Sequence, residues 1–163
     1  MNAVRMVMAV VIVMVAGSVL AVAGSQQSFD AMKSLNGIWE GQGKDGKPLQ
    51  VSFKVTAGGS ALMSEIHGMD EDMITMFHPD GDRLLMTHYC AAGNQPRMQG
   101  TASPDGKTIT FNFIDGTNIT AQQPGHMEKL VVTMLDPSHH TEQWSFKGAD
   151  GKEMTEAFDL HRK

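Results

Sequence analysis

From Gly37 onward, apolar and polar residues alternate with a period of two. Leu49, Val51, Phe53 and Val55 interleave with Gln50, Ser52 and Lys54, and the pattern returns at Ile109-Phe111-Phe113, Leu130-Val132-Met134 and Trp144-Phe146. Successive side chains of a strand point to opposite faces, so this is the pattern of strands with one buried face. Between the runs lie compact turn segments: Lys44-Asp45-Gly46-Lys47, Ala57-Gly58-Gly59-Ser60, Pro79-Asp80-Gly81-Asp82, Pro104-Asp105-Gly106-Lys107, Asp136-Pro137-Ser138 and Asp150-Gly151-Lys152. Asp-Gly supplies the positive φ angles that tight hairpin turns require. The spacing predicts strands over 37–43, 48–56, 60–67, 71–78, 83–90, 97–103, 107–114, 126–135, 139–146 and 153–161. Asp115 to Gly125 reads as a loop over one end of the sheet.

Ahead of the strands, Ser28 to Leu35 has helical spacing, with Ser28 placed to cap it and Phe29, Met32 and Leu35 on one face. Near-regular hairpins favour an up-and-down meander, and a sheet this wide closes on itself because closure removes its sticky edges. The fold class is therefore all-β: an antiparallel up-and-down β-barrel of 8–10 strands with a short N-terminal helix. A closed barrel of this size can hold one small ligand inside.

The first residues carry a different pattern. One positive charge within Met1–Arg5 precedes an unbroken apolar run from Met6 to Ala16, and Ala21-Val22-Ala23 follows. Together these make the three regions of a signal peptide, with cleavage expected after Ala23. The run is too short to span a bilayer. The chain thus divides into a signal peptide, 1–23, and one domain, 24–163, periplasmic or secreted and with no membrane attachment after cleavage. Gly24, not a cysteine, stands directly after the cleavage site, which argues against a lipid anchor, and the lone Cys90 cannot staple its own chain. Losing Arg5 leaves 12 of the 13 basic residues against 18 acidic ones. Without a basic cluster to neutralise phosphates, nucleic acid is excluded as a partner.

The helix followed by Leu35-Asn36-Gly37-Ile38-Trp39-Glu40-Gly41 resembles the opening of lipocalin-type and fatty-acid-binding-type barrels, where a Gly-x-Trp on the first strand follows a short helix. That resemblance implies a calycin-type barrel with Trp39 plugging one end. The longer Gly37-x-Trp39-x-Gly41-x-Gly43 is similar to the nitrobindin group, which implies haem held by a histidine near the chain end, here His161. The blocks Asp80–Leu84 and His88–Met98 resemble small, exported, uncharacterised bacterial barrels of lipocalin-like type. The later signature positions of the lipocalins have no counterpart in this chain.

Candidate chemistry centres on His88 to Met98, which packs His88, Tyr89, Cys90, Asn94, Gln95 and Arg97 into eleven residues. Period two places Met86, His88 and Cys90 on one face, with Thr87 and Tyr89 on the other. Arg97 has the fork geometry to grip a carboxylate, a ligand's or that of Glu142. Met63, Glu65 and His67 share a face, as do His140, Glu142, Trp144 and Phe146. Pointing inward, Glu65, His67, His88, Arg97, His126 and Glu142 would make a polar lumen suited to a polar or anionic ligand. Pointing outward, they are surface residues.

The reading that follows is an exported carrier or sensor for a small molecule, a binder rather than an enzyme. Its site would be lined by His67, His88, Tyr89, Asn94 and Arg97, with His126, Glu142 and Trp144 completing it. No motif names a cofactor, and neither the ligand nor the oligomeric state has a sequence signature. Three alternatives stand beside it. Glu65, Glu142 and the histidines offer acid–base groups for an isomerase or cyclase. Cys90 with His88 or His126 offers a thiolate–base pair. The seven histidines and the methionines offer copper or haem ligation.

Overall fold

The computed structural model describes residues 24–43, 46–69 and 71–163. The expected signal peptide and part of the Lys44–Lys47 turn lie outside the described residues. Ten strands form one closed antiparallel barrel: β1 Gly37–Gln42, β2 Pro48–Thr56, β3 Ala61–His67, β4 Met73–Asp80, β5 Arg83–Tyr89, β6 Gln95–Ala102, β7 Thr108–Thr117, β8 His126–Asp136, β9 His139–Lys147 and β10 Glu153–Arg162. Each strand pairs with its neighbours in sequence, and β1 meets β10 to close the ring. The expected meander is correct. The closing seam is short, with register pairs at Trp39–Arg162 and Glu40–His161.

The hairpins differ from expectation in kind. At the Asp-Gly turns described in full only the glycine takes positive φ: Gly81 61°, Gly106 70°, Gly151 77°. In the β6–β7 turn, Gly106 N–H donates to the Ser103 carbonyl and Ser103 N–H to the Thr108 carbonyl. That is a type I turn closed by a left-handed glycine, rather than the mirror-image turn with both central residues at positive φ. The β9–β10 turn repeats the pattern at Gly148–Lys152. The Asp115–Gly125 loop is also shorter than expected, because β7 continues to Thr117.

A helix, α1, occupies residues 24–33. Ser28 lies inside it and does not cap it: its hydroxyl donates back to the Gly24 carbonyl at 2.8 Å. Phe29, Met32 and Leu35 are buried in the core as their spacing predicts. The helix closes one end of the barrel with Trp39, 1% exposed, whose indole N–H donates to the Leu35 carbonyl at 2.7 Å. Arg162 locks this plug. Its guanidinium donates to the carbonyls of Ser34, Asn36 and Pro137 and lies 4.3 Å from the Trp39 ring centroid. A side chain on Gly41 would collide with the Asp159 carbonyl, so the second glycine of the Gly-x-Trp-x-Gly run lets β1 approach β10.

The inner faces fill the barrel. Leu49, Val51 and Phe53 of β2, Leu62 and Ile66 of β3, Ile109 and Phe111 of β7, and Leu130 and Val132 of β8 are nearly inaccessible. Burial of this apolar area, at about 25 cal/mol per Å², is the main force holding the sheet closed. No helix among the described residues is long and apolar enough to cross a membrane.

Candidate ligand cavity

At the end opposite α1 the packing thins. A cavity of about 200 Å³ opens between the end of β3, the start of β4, the end of β5, and the β9–β10 hairpin. Its walls are mostly apolar. Met69, Met73, Met127 and Met154 contribute thioethers, and Trp144, Phe146 and Phe158 contribute rings. Methionine is flexible and polarisable, so such a wall adapts to the shape of what enters it.

Three polar residues join this wall, His88, Thr155 and Glu156, and of them His88 is completely buried. Its Nδ1 is 2.8 Å from the Thr75 hydroxyl, and its ring packs on Trp144 at 4.7 Å with a 42° tilt. Its Nε2 has no hydrogen-bond partner within the protein. Burial pushes the imidazole pKa down to about 4, so the ring is neutral at pH 7. A neutral imidazole presents one donor and one acceptor nitrogen, and which is which depends on the Thr75 hydroxyl.

Behind His88 a buried polar string runs toward the plug. Trp144 donates its indole N–H to Glu142 Oε2 at 2.9 Å, and His140 Nε2 lies 3.3 Å from Glu142 Oε1. Glu142 is 2% exposed, and those two groups satisfy its carboxyl. His140 in turn packs edge-on against Trp39 at 4.2 Å, and its Nδ1 is without a partner. Neither His140 nor Glu142 lines the cavity.

Several expected lumen residues lie elsewhere. On β3 the inward residues are Leu62, Ser64 and Ile66, so Glu65 and His67 point outward with Met63. His67 pairs with Asp72 at 3.0 Å. Tyr89 is half exposed on the outer face. Arg97 is on the outside, forked onto Asp115 at 2.5 and 2.7 Å rather than onto Glu142. A β-bulge between Arg97 and Met98 sets this register, with Pro96 and Met98 turned inward.

Asn94 is buried, but it ties loops together: its amide donates to the Gly125 carbonyl at 2.7 Å. Gln123 makes a matching bond to the Ala92 carbonyl, so the β7–β8 loop is pinned to the β5–β6 turn. His126 has both ring nitrogens occupied, by the Pro124 carbonyl at 2.6 Å and Glu128 at 2.9 Å. Of the expected site residues, His88 and Trp144 border the cavity, and Glu142 supports Trp144 from behind. Met127 and Met154 were missed. Met154 is 63% exposed and reads in sequence as a surface residue.

The alternative chemistries fare as follows. Glu65 and Glu142 lie on opposite sides of the sheet and do not converge as an acid–base pair. Burial pushes the Cys90 thiol pKa up, away from the thiolate a nucleophile needs. His161 points outward with its side chain 65% exposed, so it does not fit the axial-ligand position that a haem barrel implies. A wider groove of about 580 Å³ lies outside, between the start of α1 and the β6–β7 turn. Among the described residues, no buried unpartnered polar atom faces it.

No family model matches the chain, and no curated protein matches it. Among solved structures it is similar to Rv2717c from M. tuberculosis, with a TM-score of 0.56 and 16% identity over 83% of this chain and 97% of that one. It is also similar to a DUF3598-family protein of unknown function from Nostoc punctiforme, with a TM-score of 0.52 and 9% identity over 80% of this chain. The matched region spans 48% of that second protein. The likeness is one of fold. What the barrel holds is argued from its own residues.

Proposed function

We propose that this protein is an exported, single-domain barrel of calycin type that binds one small, largely apolar molecule carrying a single hydrogen-bonding group. Residues 1–23 are its export signal and the periplasm or exterior its destination. The observation that carries the binding reading is His88 Nε2, a buried nitrogen without a partner, on a residue that lines an apolar cavity. Leaving such an atom unbonded costs about 1–3 kcal/mol, and a ligand hydroxyl, carbonyl or amine removes that cost. An apolar cavity of roughly 150 Å³ admits a benzene-sized molecule, so about 200 Å³ suits a single substituted ring or a short branched chain. A neutral imidazole among thioethers and rings favours an uncharged partner. The anionic ligand that an Arg97–Glu142 lumen would suit is therefore not the one proposed.

The test titrates the protein with phenol, indole and cyclohexanol while following Trp144 fluorescence, with Trp39→Phe removing the second tryptophan. At least one of these probes should saturate the signal, and His88→Leu should weaken it by about 10-fold or more, the equivalent of one hydrogen bond to a buried group. If all three probes fail to saturate, or if His88→Leu binds them as tightly as the parent, the proposal is wrong. Native mass spectrometry of protein from its own host then identifies the natural ligand.

A further inference from the structure

On the outer surface, away from the cavity, the register aligns four titratable residues across four strands. Asp136 of β8 is opposite His139 of β9, His139 is opposite His161 of β10, and His161 is opposite Glu40 of β1. Directly opposed residues in an antiparallel sheet have Cβ atoms about 4.5–5.5 Å apart, so these side chains stand in a tight row. Asp159, two residues before His161, projects from the same face. His139 Nε2 lies 2.6 Å and His161 Nε2 3.4 Å from the same oxygen, Asp159 Oδ1. The imidazole rings stack with centroids 4.3 Å apart and planes 21° from parallel.

We propose that His139, Asp159 and His161 form a binding site for a divalent transition-metal ion of the zinc or copper(II) class. One potential ligand atom from each of the three lies within 4.8 Å of the others. Around an ion with bonds of about 2.0–2.1 Å, tetrahedral ligand atoms sit roughly 3.3 Å apart, and the present spacing brackets that value. Side-chain torsions alone close the difference, because continuous pairing of β9 with β10 fixes the backbone beneath. Imidazole and carboxylate together suit zinc and copper(II), and three protein ligands leave a coordination position for water or a further donor. Binding displaces the proton shared between His139 and Asp159, and both imidazoles coordinate as neutral ligands.

The surrounding charge favours a cation. Asp136, opposite His139 and held by the Ser138 amide and hydroxyl at 2.7 and 2.8 Å, adds a second carboxylate to the row. Glu40 is a third carboxylate beside the pair; of the neighbouring cations, Lys163 is engaged by it at 2.6 Å and Arg162 by the carbonyls of Ser34, Asn36 and Pro137. Sequence spacing conceals this site, since His139 and His161 meet only through the β9–β10 register.

The test titrates untagged full-length protein with Zn²⁺ by calorimetry and with Cu²⁺ by electron paramagnetic resonance. One ion per chain is expected, with two-nitrogen hyperfine structure for Cu²⁺ and a melting temperature that rises with metal concentration. His161→Ala and Asp159→Asn should each weaken binding by at least the roughly 10–100-fold typical of losing a contact that supports a metal ligand. Their metal-free circular dichroism spectra should match the parent. Failure to bind either ion overturns the proposal. So does binding that persists in a His139→Ala/His161→Ala double variant, or that is abolished instead by His88→Ala, which would place the ion in the cavity.

Discussion

The two ends of the barrel are made by the same ten strands and are built on opposite principles. At the plugged end, Trp39 and Arg162 hand their donors to named backbone carbonyls, and α1 buries Phe29 and Met32 in the core. At the other end, four methionines and three aromatic rings surround open space, with a buried imidazole nitrogen left unbonded. The plugged end also keeps an unbonded nitrogen, His140 Nδ1 beside Trp39, but encloses it among packed side chains. A pliable end with an unmet polar group is the part free to respond to a partner, and strain of this kind concentrates at functional sites.

The sharpest way to break the comparison is Trp39→Ala. Removing the plug leaves a cavity against α1, and it should cost about 4 kcal/mol in urea unfolding. A loss below about 1 kcal/mol would show that the helix closes the barrel without it.

The next largest effect lies at the other end, in His88. Its native pKa of about 4 is below the unfolded value of 6.5, so the unfolded chain takes up a proton first as pH falls. The stability from keeping this ring neutral is fully present above pH 6.5 and is lost as pH drops through about 4. The total comes to roughly 3 kcal/mol. Unfolding curves between pH 7 and 4 should show that slope, and His88→Gln should flatten it. An unchanged slope in the variant would assign the effect to other groups.

The smallest expected effect sharpens the contrast. Met154→Ala should change stability by less than about 0.5 kcal/mol, because the residue is largely exposed. It should nonetheless shift probe affinity measurably, since the side chain forms part of the cavity wall. Equal affinity in the variant and the parent would show that the β9–β10 hairpin takes no part in binding.

Strand positions were legible because period-two runs bounded by Asp-Gly turns leave little choice of element. Which face turns inward was less so. Met63-Ser64-Glu65-Ile66 offers an apolar residue to either face, and Leu62 and Ile66 take the inside because the opposite choice would bury the Glu65 carboxylate. Arg97 faces outward by plain alternation with inward Pro96 and Met98, and the bulge residue Ile114, on β7, brings Asp115 opposite it without a mark in β6 itself. Nothing in the sequence singles out Arg162, because its three carbonyl acceptors come from Ser34, Asn36 and Pro137, distant in sequence. His88 could be singled out as unusual, but its solitary nitrogen emerges only when β4 and β5 are laid side by side.

The short seam between β1 and β10 has a consequence for how the molecule forms. Every other pairing joins consecutive strands, so its two partners are never far apart along the chain. Trp39 and Arg162 must find each other across almost the whole domain. The entropy of ring closure is therefore concentrated in one small set of contacts. The Arg162 clasp on Trp39 and α1 is what makes that final meeting persist.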